Sequence, residues 1–317
     1  MTDADFSTLA HLPVACLGGG VIGASWATLF AAHGAEVAVY DPADGAAEAV
    51  AAYAARAWPT LQALGVTDRE APPDIAVVAT PEAAVEGARF IQESAPERIE
   101  VKHDLFRRIE PALAPGAVVA SSASGLTVTE MQGGWTDPAR FVLGHPFNPP
   151  HLIPLVEVMG NERTQEAALT AAETFYAACG KTTIRVRREA PGHVANRLQA
   201  ALWREAVSLV QNGVASVEDV DRAIWAGPGL RWAAMGPHML FALGAGEAGM
   251  AEFCRRYGPS FHRWWESLDD AVQLDDATAS ALADGVAAEQ GARSTADMMA
   301  ERDRLILAFL KAAKREG

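Results

Sequence analysis

Near the start of the chain an apolar run, Val14, Ala15, Cys16 and Leu17, stops at Gly18. Gly18, Gly20 and Gly23 then complete a G-x-G-x-x-G pattern. A helical pattern follows over residues 21–33 and closes at Gly34. A glycine pattern alone is weak, but between a strand and a helix it has a mechanical meaning. Gly18 allows the tight turn, Gly20 lets backbone approach a pyrophosphate, and Gly23 lets helix and strand pack closely. The residues that open the helix, Val21 and Ile22, have free N–H groups and the partial positive charge of a helix N-terminus. A second apolar run, 36–40, ends at Asp41, eighteen residues after Gly23. A carboxylate there accepts hydrogen bonds from ribose hydroxyls and repels a 2′-phosphate, so NAD is favoured over NADP.

The first half goes on alternating short apolar runs with helical stretches. The pattern predicts strands at 75–78, 88–91, 117–120, 141–143, 153–159 and 183–186. It predicts helices over 45–64, broken or kinked at Pro59, over 99–113, and over 165–179 with Thr164 as N-cap. Such alternation points to a Rossmann-like α/β domain with a mostly parallel sheet covered on both faces. After residue 189 the pattern turns helical, with Leu198, Leu202, Leu209 and Val210 on one apolar face and a new helix starting at Ser216. The expected domains are 1–189, binding NAD, and 190–317, an all-α domain.

The formal net charge of −14 argues against nucleic acid and anionic membranes, which need a basic footprint. Three cysteines make no disulfide framework and suit a reduced, cytoplasmic setting. Residues 1–11 lack the basic and apolar regions of a signal peptide, and no stretch reads as a membrane span.

The densest segment is Gly144, His145, Pro146, Phe147, Asn148, Pro149 and Pro150, followed by Leu155, Val156, Glu157 and Val158. The prolines predict a turn at a strand end, with His145 in it and Glu157 on the next strand returning beside it. A histidine with a carboxylate on one ring nitrogen is a good general base. A buried structural histidine is the alternative, and without neighbouring Cys or His ligands no metal site is expected. Ser124, in the run Ser121, Ser122, Ala123, Ser124, Gly125, is a candidate to hold a substrate oxygen or to cap a helix. Asn196, opening the helical half, has the same two readings.

These segments, with 93–97, 191–197 and 229–232, together resemble the short-chain 3-hydroxyacyl-CoA dehydrogenase superfamily. The resemblance covers nearly the whole chain. It is strongest to the 3-hydroxy-acid branch that includes L-carnitine dehydrogenase and L-gulonate 3-dehydrogenase (lambda-crystallin). It implies that His145 is the general base and Glu157 its orienting partner. Ser124 and Asn196 would hold the reacting oxygen, and Glu97 and Lys102 would lie along the nicotinamide half of NAD. It also implies a homodimer formed through the helical domain. The segment between Asp41 and Ile75 is shorter than in fatty-acid members, and its basic residues are Arg56 and Arg69; no Lys precedes Lys102. A site for the phosphates of CoA usually offers Lys or Arg. The expected substrate is therefore a small 3-hydroxy or 3-keto free acid such as L-carnitine. Arg231 is a candidate for its carboxylate, with Trp232 and Trp203 for its apolar or quaternary ammonium part. Two other expectations fit the residues: a ketoreductase for β-keto polyketide-type intermediates, and an NAD-binding structural protein.

Overall fold

A computed structural model describes residues 6–268 and 272–313. Residues 1–5, part of the opening segment read against a signal peptide, lie outside the described residues. The chain divides into two compact units, one up to Arg197 and one from Leu198.

The first unit is built on one eight-stranded sheet. Its strands are β1 (Pro13–Leu17), β2 (Glu36–Tyr40), β3 (Ala76–Val78), β4 (Phe90–Glu93), β5 (Val118–Ser121), β6 (Phe141–Pro146), β7 (Leu155–Met159) and β8 (Thr182–Arg185). They lie in the order β3-β2-β1-β4-β5-β6-β7-β8, all parallel to their neighbours except that β7 runs antiparallel to β6. The chain winds outward from β1 through β2 to β3, then starts again at β4 on the other side. A reversal of this kind opens a crevice at the C-terminal ends of the strands. The loops after β1, β4 and β5 and the end of β6 all meet that edge.

The apolar run of β1 is continuous because both faces are covered. Val14 and Cys16 join a core with Trp26, Phe30, Phe90 and Phe175, while Ala15 and Leu17 join another with Phe106, Val119 and Phe141. The helices of this unit are α1 (Val21–Ala32), α2 (Ala46–Ala63), α3 (Pro81–Val85), α4 (Ile99–Ile109), α5 (Val128–Gln132) and α6 (Glu166–Ala178).

Three local expectations are corrected. Helix α2 does not break at Pro59 but runs on to Ala63. Trp58 and Leu61 are fully buried on either side of the proline, and that packing outweighs one missing hydrogen bond. Thr164 does not cap α6; Gln165 holds the N-cap position, and the Thr164 hydroxyl instead donates to the Phe141 carbonyl. His145 lies in strand β6 rather than in the turn after it, because pairing with β7 carries the strand on to Pro146.

Helix α7 (Ala195–Gln211) leads into the second unit, which contains α8 (Val217–Ala226), α9 (Pro228–Ala234), α10 (Pro237–Gly244), α11 (Gly249–Ser267), α12 (Asp276–Gln290) and α13 (Thr295–Ala313). Ser216 caps α8 and Asp275 caps α12. Among the described apolar side chains of this unit, Val207 and Val220 are buried, whereas Leu198 and Leu202 of the expected apolar face are exposed. Among the described residues no helix is long and apolar enough to cross a membrane.

Candidate active site

The turn after β1 has the geometry its glycines predict. A Cβ on Gly23 would fall 1.8 Å from the Gly18 carbonyl oxygen, so only glycine lets α1 close against the strand. A Cβ on Gly20 would meet nothing within 4 Å, which leaves open space above the turn. The first N–H groups of α1, including those of Val21 and Ile22, have no carbonyl partner within the helix. At the end of β2, Asp41 accepts the Gly19 N–H through Oδ2 at 2.6 Å and the Ala43 N–H through Oδ1 at 2.8 Å. The carboxylate is thus fixed beside the glycine turn and half-exposed. Open donors at a helix start with an anchored acid alongside fit a dinucleotide carrying an unmodified ribose.

Below the crevice edge a buried charge pair holds two loops. Lys102 Nζ donates to Glu93 Oε1 at 2.5 Å and to the Ala95 carbonyl at 3.2 Å. Glu93 also accepts the Ser121 hydroxyl at 2.5 Å and the Ala95 N–H at 2.7 Å. Lys102 is therefore sealed inside the unit and acts on the loop after β4 through these bonds. Glu97 is exposed and serves the next loop. It accepts the N–H groups of Ser124, at 2.8 Å, of Gly125, and of Leu126, at 3.1 Å, and it accepts the Ser124 hydroxyl at 2.8 Å. Burial pushes the Glu97 carboxyl up, but these donors outweigh it and hold the group below its ordinary value.

His145 and Glu157 stand directly opposite each other in the antiparallel β6–β7 ladder. Side chains so placed share one face of the sheet, and His145 Nδ1 lies 2.8 Å from Glu157 Oε2. The other oxygen, Oε1, accepts the N–H groups of Val194 and Ala195 at 2.9 and 3.0 Å. The start of α7 and the imidazole therefore share one carboxylate. Burial acts to raise the Glu157 carboxyl, but the bonds from His145, Ala195 and Val194 prevail and keep it low. An ionised Glu157 makes Nδ1 the donor and leaves the lone pair of His145 on Nε2.

His193 lies within the segment 191–197 that carries the family resemblance. The structure places its ring 5.1 Å from that of His145, with Phe147 at 5.6 Å from His145. Its backbone is left-handed, φ 50°, which turns the following N–H groups toward Glu157. Its Nε2 faces the Ala123 carbonyl at 3.4 Å, beside Ser124. Burial first, then the neighbouring His145, pushes the His193 imidazole down from its ordinary value. Asn196 follows the residues that bond Glu157 and is half-buried. Arg231 and Trp232 lie on α9 and Trp203 on α7, all three exposed. Glu93, Ser94, Ser122 and His193 stand in segments that carry the resemblance but had no role of their own there, and no sequence signal marked Gln92, whose amide donates to the Ser122 hydroxyl beside Ser94.

Free helix-start donors with an anchored acid suit a nicotinamide dinucleotide, and an oriented imidazole suits a hydroxyl proton, so fold and site define a nicotinamide-linked dehydrogenase. Residues 13–190 match the 3-hydroxyacyl-CoA dehydrogenase NAD binding domain, and residues 192–285 match the 3-hydroxyacyl-CoA dehydrogenase C-terminal domain. The chain belongs to the 3-hydroxyacyl-CoA dehydrogenase family. It is 49% identical over 302 residues to an L-carnitine dehydrogenase of Streptomyces griseus, covering 95% of this chain and 90% of that protein. To an L-carnitine dehydrogenase of Pseudomonas putida it is 44% identical over 300 residues, 95% and 93% of the two chains. Among solved structures it resembles 5-formyl-3-hydroxy-2-methylpyridine 4-carboxylic acid 5-dehydrogenase, an NAD-dependent dismutase. The TM-score is 0.82 and the identity 29%, over 96% of this chain and 100% of that one. The chain is an NAD-dependent oxidoreductase acting on a CH–OH group of a small molecule.

Proposed function

We propose that the enzyme interconverts a 3-hydroxy free acid of the L-carnitine type and its 3-keto acid, with His145 as general base. The observation that carries this reading is the buried 2.8 Å contact between His145 and Glu157, locked from behind by the start of α7. NAD, when bound, supplies the hydride acceptor. Val21, Ile22 and the glycine turn would hold its phosphates and Asp41 its ribose, while Glu97 and Lys102 shape the loops beside it. His145 Nε2 takes the hydroxyl proton, and Glu157 keeps the ring in the required tautomer and stabilises the imidazolium. Ser124 and Asn196 steady the oxygen as it becomes a carbonyl.

The free acid is favoured over the CoA ester by the scarcity of cations between Asp41 and Ile75 and by the names of the curated relatives. Arg231 would meet the carboxylate, with Trp203 and Trp232 beside the rest of the substrate. The five exposed tryptophans of the helical unit support a second copy of the chain as its cover, hence a homodimer. Three free cysteines, two of them buried, support a cytoplasmic setting. The proposed functional division stays at residues 189–190, at the end of the first family match (13–190) and ahead of the second (192–285), and α7 then belongs to the substrate domain.

The test is NADH formation with L-carnitine, L-3-hydroxybutyrate, L-gulonate and L-3-hydroxybutyryl-CoA, each with NAD and NADP. Turnover of a free acid with NAD is expected. Turnover of the CoA ester alone would overturn the substrate assignment and leave the base intact.

A further inference from the structure

The strands that carry His145 and Glu157 are joined by residues 147–154. That connection contains Pro149, Pro150 and Pro154, which have no N–H to give to a backbone ladder. Its own backbone bonds run from Leu152 and Ile153 to the Pro149 carbonyl. The carbonyls of Pro150 and Ile153 are met from outside by one side chain. Lys181 Nζ donates to Ile153 O at 3.0 Å and to Pro150 O. The same ammonium sits 5.3 Å above the ring of Trp26. Trp26 is on α1, next to Ser25, whose hydroxyl accepts the His151 N–H at 2.8 Å. The helix that begins at the cofactor turn therefore carries two of the groups that hold this connection, while Tyr53 of α2 meets His151 Nδ1 at 3.2 Å.

We propose that Lys181 is a positioning residue, a charged clamp that holds the β6–β7 connection on α1 and so aligns His145 with Glu157. The inference rests on His145 being the base. Among the described residues no carboxylate pairs with this ammonium. The Cys179 thiol is pushed far up by burial, and the His33 imidazole is pushed down by burial first and then by Lys181 itself, so neither is shifted toward a negative charge. Burial brings Lys181 from 10.5 down to about 8. Above that the amine can still donate, but charge-assisted bonds are about twice as strong as neutral ones, so the clamp slackens. The effect on stability has the opposite sign. Between about 8 and 10.5 the unfolded chain binds more protons at this group, so its contribution to stability rises with pH. An alkaline loss of turnover through Lys181 is therefore not an unfolding event.

The experiment measures saturated turnover and melting temperature from pH about 6 to about 10, with NADH affinity by fluorescence, for wild type, Lys181→Met, Lys181→Arg and His145→Ala. Wild-type kcat is expected to fall above pH about 8 without a matching fall in melting temperature. Lys181→Met should lose about 10-fold in kcat at neutral pH and show no alkaline limb, with NADH affinity unchanged. Lys181→Arg, charged throughout, should restore most of the neutral turnover and keep it at high pH. Wild-type kcat and pH profile in Lys181→Met would overturn the clamp, even with a lower melting temperature. So would an alkaline limb that persists in Lys181→Arg, which decides the matter should Lys181→Met not fold. Undiminished turnover in His145→Ala would instead overturn the base assignment.

Discussion

The eight tryptophans divide the molecule. Trp26, Trp58 and Trp135 of the sheet-containing unit are 0%, 1% and 7% exposed. Trp203, Trp225, Trp232, Trp264 and Trp265 of the helical unit are between 38% and 67% exposed. In the first unit both faces of a twisted sheet are covered by helices, so a periodic apolar residue marks the core. In the second, single helices present apolar stripes that the unit itself does not cover, so the same kind of residue marks surface. The difference separates a unit whose apolar residues are covered by its own elements from one whose tryptophans stay exposed.

The comparison can be broken at several points. The largest effect is expected at the internal pair. His145→Ala should lower kcat/KM by about 10²–10⁴-fold while NADH still binds, as fluorescence titration would show. A variant that turns over normally removes the pair from the chemistry. Trp58→Ala should destabilise the sheet unit by about 3–5 kcal/mol in urea unfolding, the range for emptying a buried aromatic site. Gly144→Ala comes next, because the added Cβ would stand 1.9 Å from the Tyr176 hydroxyl oxygen. Overpacking of this kind costs about 1–3 kcal/mol, and a combined Tyr176→Phe change should recover part of it in thermal melts.

Acid gives a subtler test. Glu157 is held below its ordinary 4.5 in the folded chain, so it stabilises the fold above the unfolded value. That contribution is lost as pH falls through the folded value. Glu157→Gln should flatten this part of the stability curve below pH about 4.5, and an unchanged curve would show that the carboxylate adds nothing. The smallest effect is expected at Trp225→Ala, within about 0.5 kcal/mol if the side chain stays exposed in solution. A larger loss, accompanied by a lower mass in light scattering, would show that a second copy covers it.

Much of the sheet unit was legible because its signals are local. The glycine spacing from Gly18 to Gly23 and the position of Asp41 depend on a strand, a turn and a helix adjacent in sequence, and the coordinates reproduce them. The spacing of His145 and Glu157 also suggested a returning strand. What that spacing could not say is that β7 runs antiparallel to β6, and this reversal lengthens β6 until His145 lies within it. Lys102 shows the same limit. The resemblance implied a place for Lys102 along the nicotinamide half of NAD, and only its meeting with Glu93, from another element, explains its burial. Lys181 fits no local pattern, and His193 stood out only within the segment 191–197; each matters through contacts distant in sequence.

By itself, then, the order of residues determined the alternation of strands and helices, the cofactor turn, the acid at the end of β2 and the candidate base with its carboxylate. These follow from backbone sterics and apolar periodicity, which act over a few neighbouring residues. Tertiary structure alone decided that Glu157 is shared between His145 and the start of α7, and that Glu97 closes on the loop carrying Ser124. It also decided that the carbonyls of Pro150 and Ile153 are answered by Lys181. Each is a buried or constrained polar group whose partner comes from a separate element. Leaving such a group unpaired is costly, and which partner reaches it depends on how the whole chain packs.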